Sequence, residues 1–243
     1  MTVMQASYQD RIIVALDGEP ADIFRWSHEL AGEARWVKVG MTLFYLSGPA
    51  IIEELKSLGY KVFLDLKLHD IPHQVEGAAR RLGRLGVDLI TVHAAGGRAM
   101  MGAALEGARK GAEEAGKTPP KVVAVTVLTS MTNQTLHDIG VSDDTNTQVD
   151  RLMRLASEAC LDGIVCSPHE AAAARSTLGG GAWIVTPGVR PAGADKGDQS
   201  RIMTPADALN VGATHLVIGR PITDSPNPKQ AYREIINAIA NIP

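Results

Sequence analysis

Between residues 62 and 70 the sequence is Val62-Phe63-Leu64-Asp65-Leu66-Lys67-Leu68-His69-Asp70. The apolar start predicts a buried β-strand, and Pro72 shortly afterwards suits the first turn of a helix. Because side chains alternate along a strand, Asp65 and Lys67 are expected on one face. If that face lines a barrel, a lysine lies beside a carboxylate where charge is costly to bury. Such a pair suits a reaction that expels an anionic group, forms a carbanion and protonates it.

The same succession of a short apolar strand and a helical segment occurs eight times along the chain. The predicted strands are Arg11–Asp17, Trp36–Gly40, Lys61–Lys67, Leu89–His93, Val122–Leu128, Gly163–Ser167, Trp183–Thr186 and His215–Gly219. The predicted helices are Asp22–Ala31, Pro49–Leu58, Pro72–Leu85, Arg98–Ala115, Thr147–Leu161, His169–Leu178, Pro205–Val211 and Lys229–Ala240. Nearly continuous Val, Ile and Leu are typical of strands buried on both faces. The pattern predicts a single (β/α)8 TIM barrel, with a doubly wound open sheet as the alternative.

The composition is that of an ordinary globular protein, with 243 residues, 45% hydrophobic and 21% charged. We expect one catalytic domain over residues 1–243. The net charge of -3 gives no indication of a nucleic-acid or membrane surface. No signal peptide or long apolar run is visible, and Cys160 and Cys166 are interpreted as reduced core residues, so a cytoplasmic location is expected.

In a barrel of this type, chemistry takes place at the carboxyl ends of the strands and in the loops that follow them. The polar residues at these positions are Asp17, Lys38, Asp65, Lys67, His93, Thr129, Ser130, Arg190 and Arg220. The loops after the seventh and eighth strands are the usual phosphate site of the fold. There, Gly188 and Gly219 allow backbone N–H groups to approach an anion, and arginine adds a bidentate fork. Arg190 and Gln199 bracket a long polar loop that could close over the phosphate.

Several of these residues also have a purely structural interpretation. Asp17 and Asp70 could cap a following turn or helix, and Thr129 could do the same. Lys38 could extend from a strand edge to solvent. His69 and His73 have metal-ligand spacing but are interpreted as surface residues, because Pro72 lies between them. Only for Asp65 and Lys67 is the functional interpretation preferred, since a buried ion pair is weak evidence for stability.

Taken together, these motifs resemble the orotidine 5′-monophosphate decarboxylase family over nearly the whole chain. The matching segments are Ile13-Val14-Ala15-Leu16-Asp17, Lys38-Val39-Gly40, residues 65–72, Val125-Thr126-Val127-Leu128-Thr129-Ser130, Thr186-Pro187-Gly188-Val189-Arg190 and residues 217–222. The Asp-x-Lys-x-x-Asp core is shared with a magnesium-dependent keto-gulonate-phosphate decarboxylase. The Asp70-Ile71-Pro72 continuation, the Leu128-Thr129-Ser130 turn and the loop from Arg190 to Gln199 favour the orotidylate enzyme.

The resemblance implies conversion of orotidine 5′-monophosphate to UMP and CO2 without metal or cofactor. Lys67 would donate the proton to C6 of the pyrimidine, and Asp65 would lie beside the departing carboxylate. Lys38 and Asp17 would hold the ribose hydroxyls and the charge network, and Thr129 would contact the pyrimidine. The phosphate would be held by Arg190, Gln199, Gly219 and Arg220. Asp70, with Ile71 beside it, would reach the partner's site in a homodimer.

Three other functions are compatible with the same residues. The first is a magnesium-dependent decarboxylase acting on a 3-keto-gulonate-6-phosphate-type substrate, in which the acidic residues would bind the metal. The second is a barrel that binds a nucleotide without catalysis, which the complete set of Asp65, Lys67 and Asp70 argues against. A different phosphate-binding isomerase or synthase barrel is a weaker third option.

Overall fold

Eight parallel strands close into a barrel in the computed structural model, which describes residues 8–191 and 203–240. Each strand pairs with its successor, and the last pairs with the first, so the predicted (β/α)8 barrel is confirmed and the open sheet is wrong. The strands are β1 (Ile12–Ala15), β2 (Trp36–Gly40), β3 (Lys61–Leu68), β4 (Leu89–His93), β5 (Lys121–Val125), β6 (Gly163–Val165), β7 (Trp183–Thr186) and β8 (His215–Ile218).

The helices surround the barrel, and three short ones were not predicted. The α-helices are α1 (Pro20–Glu29), α2 (Met41–Ser47), α3 (Ala50–Ser57), α4 (Pro72–Leu85), α5 (Gly97–Glu114), α6 (Asn133–Asp138), α7 (Thr145–Glu158), α8 (Ala171–Leu178), α9 (Pro205–Asn210), α10 (Arg220–Thr223) and α11 (Pro228–Ala240). Two 3-10 turns precede α5 and α8. The unpredicted helices α2, α6 and α10 are too short to show an amphipathic period. Within the described ranges, no helix combines the length and the apolar character needed to cross a membrane.

Several predicted boundaries and one predicted environment were wrong. β1 ends at Ala15, β5 at Val125 and β6 at Val165, two or three residues earlier than expected, because ladder pairing gives way to loops at the top of the barrel. Cys160 was expected in the core but is exposed, whereas Cys166 is buried. Cys160 follows the end of α7 with φ of 58°, and this left-handed turn away from the helix leaves its side chain in solvent.

Alternate side chains of the strands fill the barrel interior. The apolar cluster inside the barrel consists of Ile13, Ala15, Trp36, Phe63, Leu89, Val123, Val185 and Val217. The residues between them pack outward against the helices in a larger core. Two positions further along β2, β3 and β4, the same inward face carries Lys38, Asp65 and Thr91 instead of apolar groups. The inward-facing side chains of these three strands therefore change from apolar to polar within two residues along the chain.

His215 lies in the floor of the barrel, stacked on Trp183 with ring centroids 4.0 Å apart. Burial lowers its pKa from 6.5 to about 4, with a smaller contribution from the nearby positive charge of Arg11. The unfolded chain therefore binds a proton more readily than the folded protein, so stability is full above pH 6.5 and falls as the pH drops toward 4.

We expect the pH dependence of unfolding to reveal this histidine. The free energy of unfolding of the wild type should decrease between pH 6.5 and 4, and replacing His215 by phenylalanine should make this decrease smaller by about 3 kcal/mol. Urea denaturation at several pH values measures it. His137→Phe, in the short helix α6, is the control that should keep the wild-type pH dependence. Parallel curves for wild type and His215→Phe would contradict the assignment.

Candidate active site

Four charged side chains of alternating sign lie in a row at the upper end of the barrel. Lys38 Nζ is 3.1 Å from Asp17 Oδ1 and 3.9 Å from Asp65 Oδ2, and Lys67 Nζ is 2.8 Å from the same Asp65 oxygen. Parallel pairing of β2 with β3 places Gly40 opposite Asp65. A Cβ atom on Gly40 would lie 3.1 Å from Asp17 Oδ1 and 3.3 Å from Lys38 Nζ, so glycine leaves room for this pair. The arrangement supplies two fixed cations and two anions in one small volume.

The structure contradicts two interpretations of single residues, namely that Lys38 extends from a strand edge to solvent and that Asp17 only caps a turn. Lys38 is buried inside a closed barrel without edge strands, and it points at two carboxylates instead of solvent. The residue at the N-cap position of α1 is Glu19, whereas Asp17 accepts a hydrogen bond from Lys38. Both side chains therefore belong to the charge network, with Lys38 at its centre.

The contact between Asp65 and Lys67 is confirmed, but simple strand alternation does not produce it. The pairing of β3 with β4 shifts register between Leu64 and Leu68. Within that irregularity Lys67 adopts φ of 52°, a left-handed conformation that costs a non-glycine residue about 1–2 kcal/mol. The strained backbone is compatible with a functional role, since such outliers persist where surrounding interactions hold them.

Thr91 on β4 lies behind this pair and was missed by the sequence analysis. Its hydroxyl donates to Asp65 Oδ1 at 2.9 Å and accepts from the backbone N–H of Lys67 at 2.9 Å. The only signal in the sequence was one polar residue within the apolar run of β4. The two carboxylate oxygens of Asp65 are thus divided between a hydroxyl on one side and ammonium groups on the other.

A small cavity of about 200 Å³ opens directly onto Asp65 and Lys67. Its remaining wall is largely apolar and includes Phe63, Val125, Val127, Leu128, Thr129, Val165 and Cys166. Thr129 therefore lines the cavity, at the position where the pyrimidine was expected. The combination of an apolar wall with one charged side is suited to a flat, weakly polar ring that carries a single anionic substituent.

A second cavity of about 320 Å³ joins the first, with Lys38, Pro187 and Val217 lining both. Its wall includes Asp17, Gly188, Arg190, Gly219, Arg220 and Thr223. Gly188 has φ of 77°, so a side chain there would be strained. The two arginines that the sequence analysis assigned to a phosphate thus line the second cavity, whereas Lys67 lines the first. Gln199 lies outside the described residues.

Asp70 and Ile71 follow β3 and are both exposed. Asp70 Oδ1 accepts the backbone N–H of Ile71 at 2.6 Å, and among the described residues it forms no ion pair with Lys67. The residue at the N-cap position of α4 is Ile71, without a side-chain cap, so the capping interpretation of Asp70 is wrong. Among the residues that the structure describes, Asp65 is the carboxylate that pairs with the Lys67 ammonium.

The histidines near the site lie to one side of the charge network. His69 and His73 are exposed, as expected. The His93 ring is 5.3 Å from that of His69, centroid to centroid. Burial lowers the pKa of His93, and the neighbouring His69 and Lys67 lower it further. Among the residues that the structure describes, no group of three or more His, Cys, Asp or Glu side chains is arranged to hold a metal ion.

Comparison with known proteins matches residues 10–235 to the model of the Orotidine 5'-phosphate decarboxylase / HUMPS family. The chain belongs to this family. It is 50% identical to the orotidine 5'-phosphate decarboxylase of Moorella thermoacetica over 93% of this chain and 91% of that protein. It is 48% identical to that of Parasynechococcus marenigrum, over 92% and 91% respectively. The crystal structure of the Lactobacillus acidophilus protein of that name superposes with a TM-score of 0.84 at 38% identity, covering 95% of this chain and 99% of the other.

The family membership agrees with the resemblance drawn from the motifs. It covers the barrel from before β1 into α11, and hence all the described residues of both cavities.

Proposed function

We propose that this protein decarboxylates orotidine 5′-monophosphate to UMP and CO2, the last step of pyrimidine nucleotide synthesis. The observation that carries the proposal is the joined pair of cavities. One ends at the Asp65–Lys67 pair, and the other is lined by Arg190 and Arg220. A nucleotide could place its ring in the first and its phosphate in the second. The names of the relatives in the family support the same activity.

The difficult step is the loss of CO2 from C6, because the electron pair of the broken bond remains on a ring carbon without an adjacent electron sink. Catalysis requires that this carbanion be stabilised more than the substrate. The ammonium group of Lys67, already held 2.8 Å from Asp65 Oδ2, can provide that charge with little reorganisation. Its side chain remains 28% exposed, so it can face the cavity and the reacting carbon.

Protonation completes the reaction. Once CO2 has left, Lys67 gives a proton to C6 and forms UMP, and it regains a proton from solvent. Asp65, whose side chain is only 12% exposed, would lie beside the departing carboxylate and keep the ammonium in place. Lys38, which lines both cavities, and Asp17, which lines the second, are suited to bind the ribose hydroxyls.

The phosphate site is remote from the reacting carbon, so its contribution is binding energy. Arg190 and Arg220 can hold the phosphate, with Gly188 and Gly219 allowing the backbone to approach it. Interactions with a distant group can orient the ring against Lys67 and exclude water from it. We include Gln199 in this site by resemblance alone.

The direct test is the loss of ultraviolet absorbance of orotidine 5′-monophosphate with purified protein in excess chelator. We expect conversion to UMP at a rate that chelation does not change, and conversion slower by about 10⁴-fold or more with the Lys67→Ala variant. Activity only after magnesium is added, or only on a keto-gulonate phosphate, would favour the metal-dependent alternative. UMP binding without turnover would favour the non-catalytic barrel.

We further propose that the active unit is a homodimer. Several large apolar side chains are exposed among the described residues that follow the neighbouring strands β2 and β3, namely Met41, Tyr45 and Leu46 in α2 and Ile71 just before α4. Tyr45 is 75% exposed, and Leu46 and Ile71 are each 63% exposed. Exposed large apolar side chains are candidates for an association surface. Asp70 is the chain neighbour of Ile71, so it could enter the partner's cavity.

Mixing two inactive variants tests this shared site. Lys67→Ala subunits and Asp70→Asn subunits should each be nearly inactive, because each lacks one charge from every site. In a mixed dimer, one site combines an intact Lys67 with an intact Asp70, so equal mixing should restore about a quarter of wild-type activity. If Asp70 acts only in its own subunit, the mixture will remain inactive. Tyr45→Asp should abolish the recovery by weakening the dimer, as checked by sedimentation.

A further inference from the structure

We infer that Thr91 is a positioning residue that sets the orientation of Asp65 and the backbone conformation of Lys67. The inference rests on the proposed function, because it concerns the geometry that the reaction would use. Thr91 contacts both residues of the charged pair through a single atom, its side-chain oxygen. No other described residue forms hydrogen bonds to both the Asp65 side chain and the Lys67 backbone.

The first function of this hydroxyl concerns the Asp65 carboxylate. Thr91 donates its hydrogen to Oδ1, which leaves Oδ2 for the Nζ atoms of Lys67 at 2.8 Å and Lys38 at 3.9 Å. A carboxylate with one oxygen held in this way cannot rotate freely about the Cβ–Cγ bond. The Lys67 ammonium is thereby directed to one oxygen, on the side of the cavity.

The second function concerns the left-handed conformation of Lys67. The register shift between β3 and β4 leaves the Lys67 N–H away from the regular ladder, and the Thr91 oxygen accepts it at 2.9 Å. A buried N–H without an acceptor would cost about 1–3 kcal/mol, comparable with the strain of φ at 52°. The bond therefore helps to maintain the conformation from which the Lys67 side chain enters the cavity.

Thr91 is suited to both tasks because it is almost completely buried, with 1% of its surface exposed. Its hydroxyl has one hydrogen and two lone pairs, and the two bonds use the hydrogen and one lone pair. Valine has nearly the same shape but neither donor nor acceptor. Serine retains the hydroxyl and lacks only the methyl group. These two replacements therefore separate hydrogen bonding from packing.

We expect Thr91→Val to lower kcat for orotidine 5′-monophosphate about tenfold or more, while KM and the affinity for UMP change less than about threefold. Thr91→Ser should restore kcat to the wild-type value.

Each outcome decides for or against the inference. The inference would be overturned if the wild type turned over and Thr91→Val had the same kcat. It would also be overturned if kcat fell equally in the valine and serine variants. A lower melting temperature with kcat and KM both unchanged would indicate a purely structural residue and would also overturn it. If Thr91→Val does not fold, Thr91→Ala is measured in the same way, and failure of both to fold would also overturn the positioning role. Absence of turnover by the wild type would instead contradict the proposed function.

Discussion

Replacing Lys67 by alanine is expected to lower kcat by about 10⁴-fold or more, since both charge stabilisation of the carbanion and proton donation are lost. The same change should alter the affinity for UMP by less than about tenfold, because the contacts that we propose for the phosphate and the ribose are made by other residues. Single-turnover kinetics and UMP titration measure the two quantities separately.

Lys61→Ala is the matched control for this experiment. Lys61 lies on the same strand at its opposite end, where it contacts Asp10 at 3.4 Å and the Trp36 ring. It should retain the wild-type kcat. Losses that are confined to KM, and equal to those of Arg190→Ala, would contradict the assignment of Lys67 to the chemical step.

Replacing Arg220 by alanine should have the next largest effect, a fall of about 100-fold in kcat/KM for orotidine 5′-monophosphate. Arg220 lines the cavity that we assign to the phosphate, at the start of the short helix α10. The guanidinium supplies charge-assisted hydrogen bonds to an anion, and these are stronger than neutral ones.

The nucleoside orotidine, which lacks the phosphate, provides the decisive comparison. Wild type and Arg220→Ala should convert orotidine with equal kcat/KM, because orotidine has no phosphate for Arg220 to contact. Arg154→Ala, which removes an exposed arginine paired with Asp150, should behave as wild type with both substrates. Equal losses with nucleotide and nucleoside would mean that Arg220 acts on something other than the phosphate.

Much of the fold could be predicted because buried parallel strands have continuous apolar sequences. All eight strands were located, although their upper ends were placed too far along the chain at β1, β5 and β6. The helix boundaries signalled by Pro72 and Pro205 were also correct. The short helices α2, α6 and α10 could not be predicted, because their seven, six and four residues are too few to show a helical period.

The candidate site shows a similar division. Asp17, Lys38, Asp65 and Lys67 could be selected from their positions after apolar strands, and the structure joins them into one network. Thr91 could not be selected, because its partners are 24 and 26 residues away along the chain. Its contribution depends on how β3 pairs with β4, and this pairing contains an irregularity without an evident sequence signal.

The sequence alone was sufficient to determine the barrel and the residue types at its catalytic end. Hydrophobic periodicity is a local property of the chain, and the architecture places strand ends together whatever the details of pairing. Only the tertiary structure decided that Lys67 is left-handed and that Thr91 divides the oxygens of Asp65. The physical reason is that backbone strain and hydrogen-bond direction depend on neighbouring strands, which packing brings together from distant parts of the sequence.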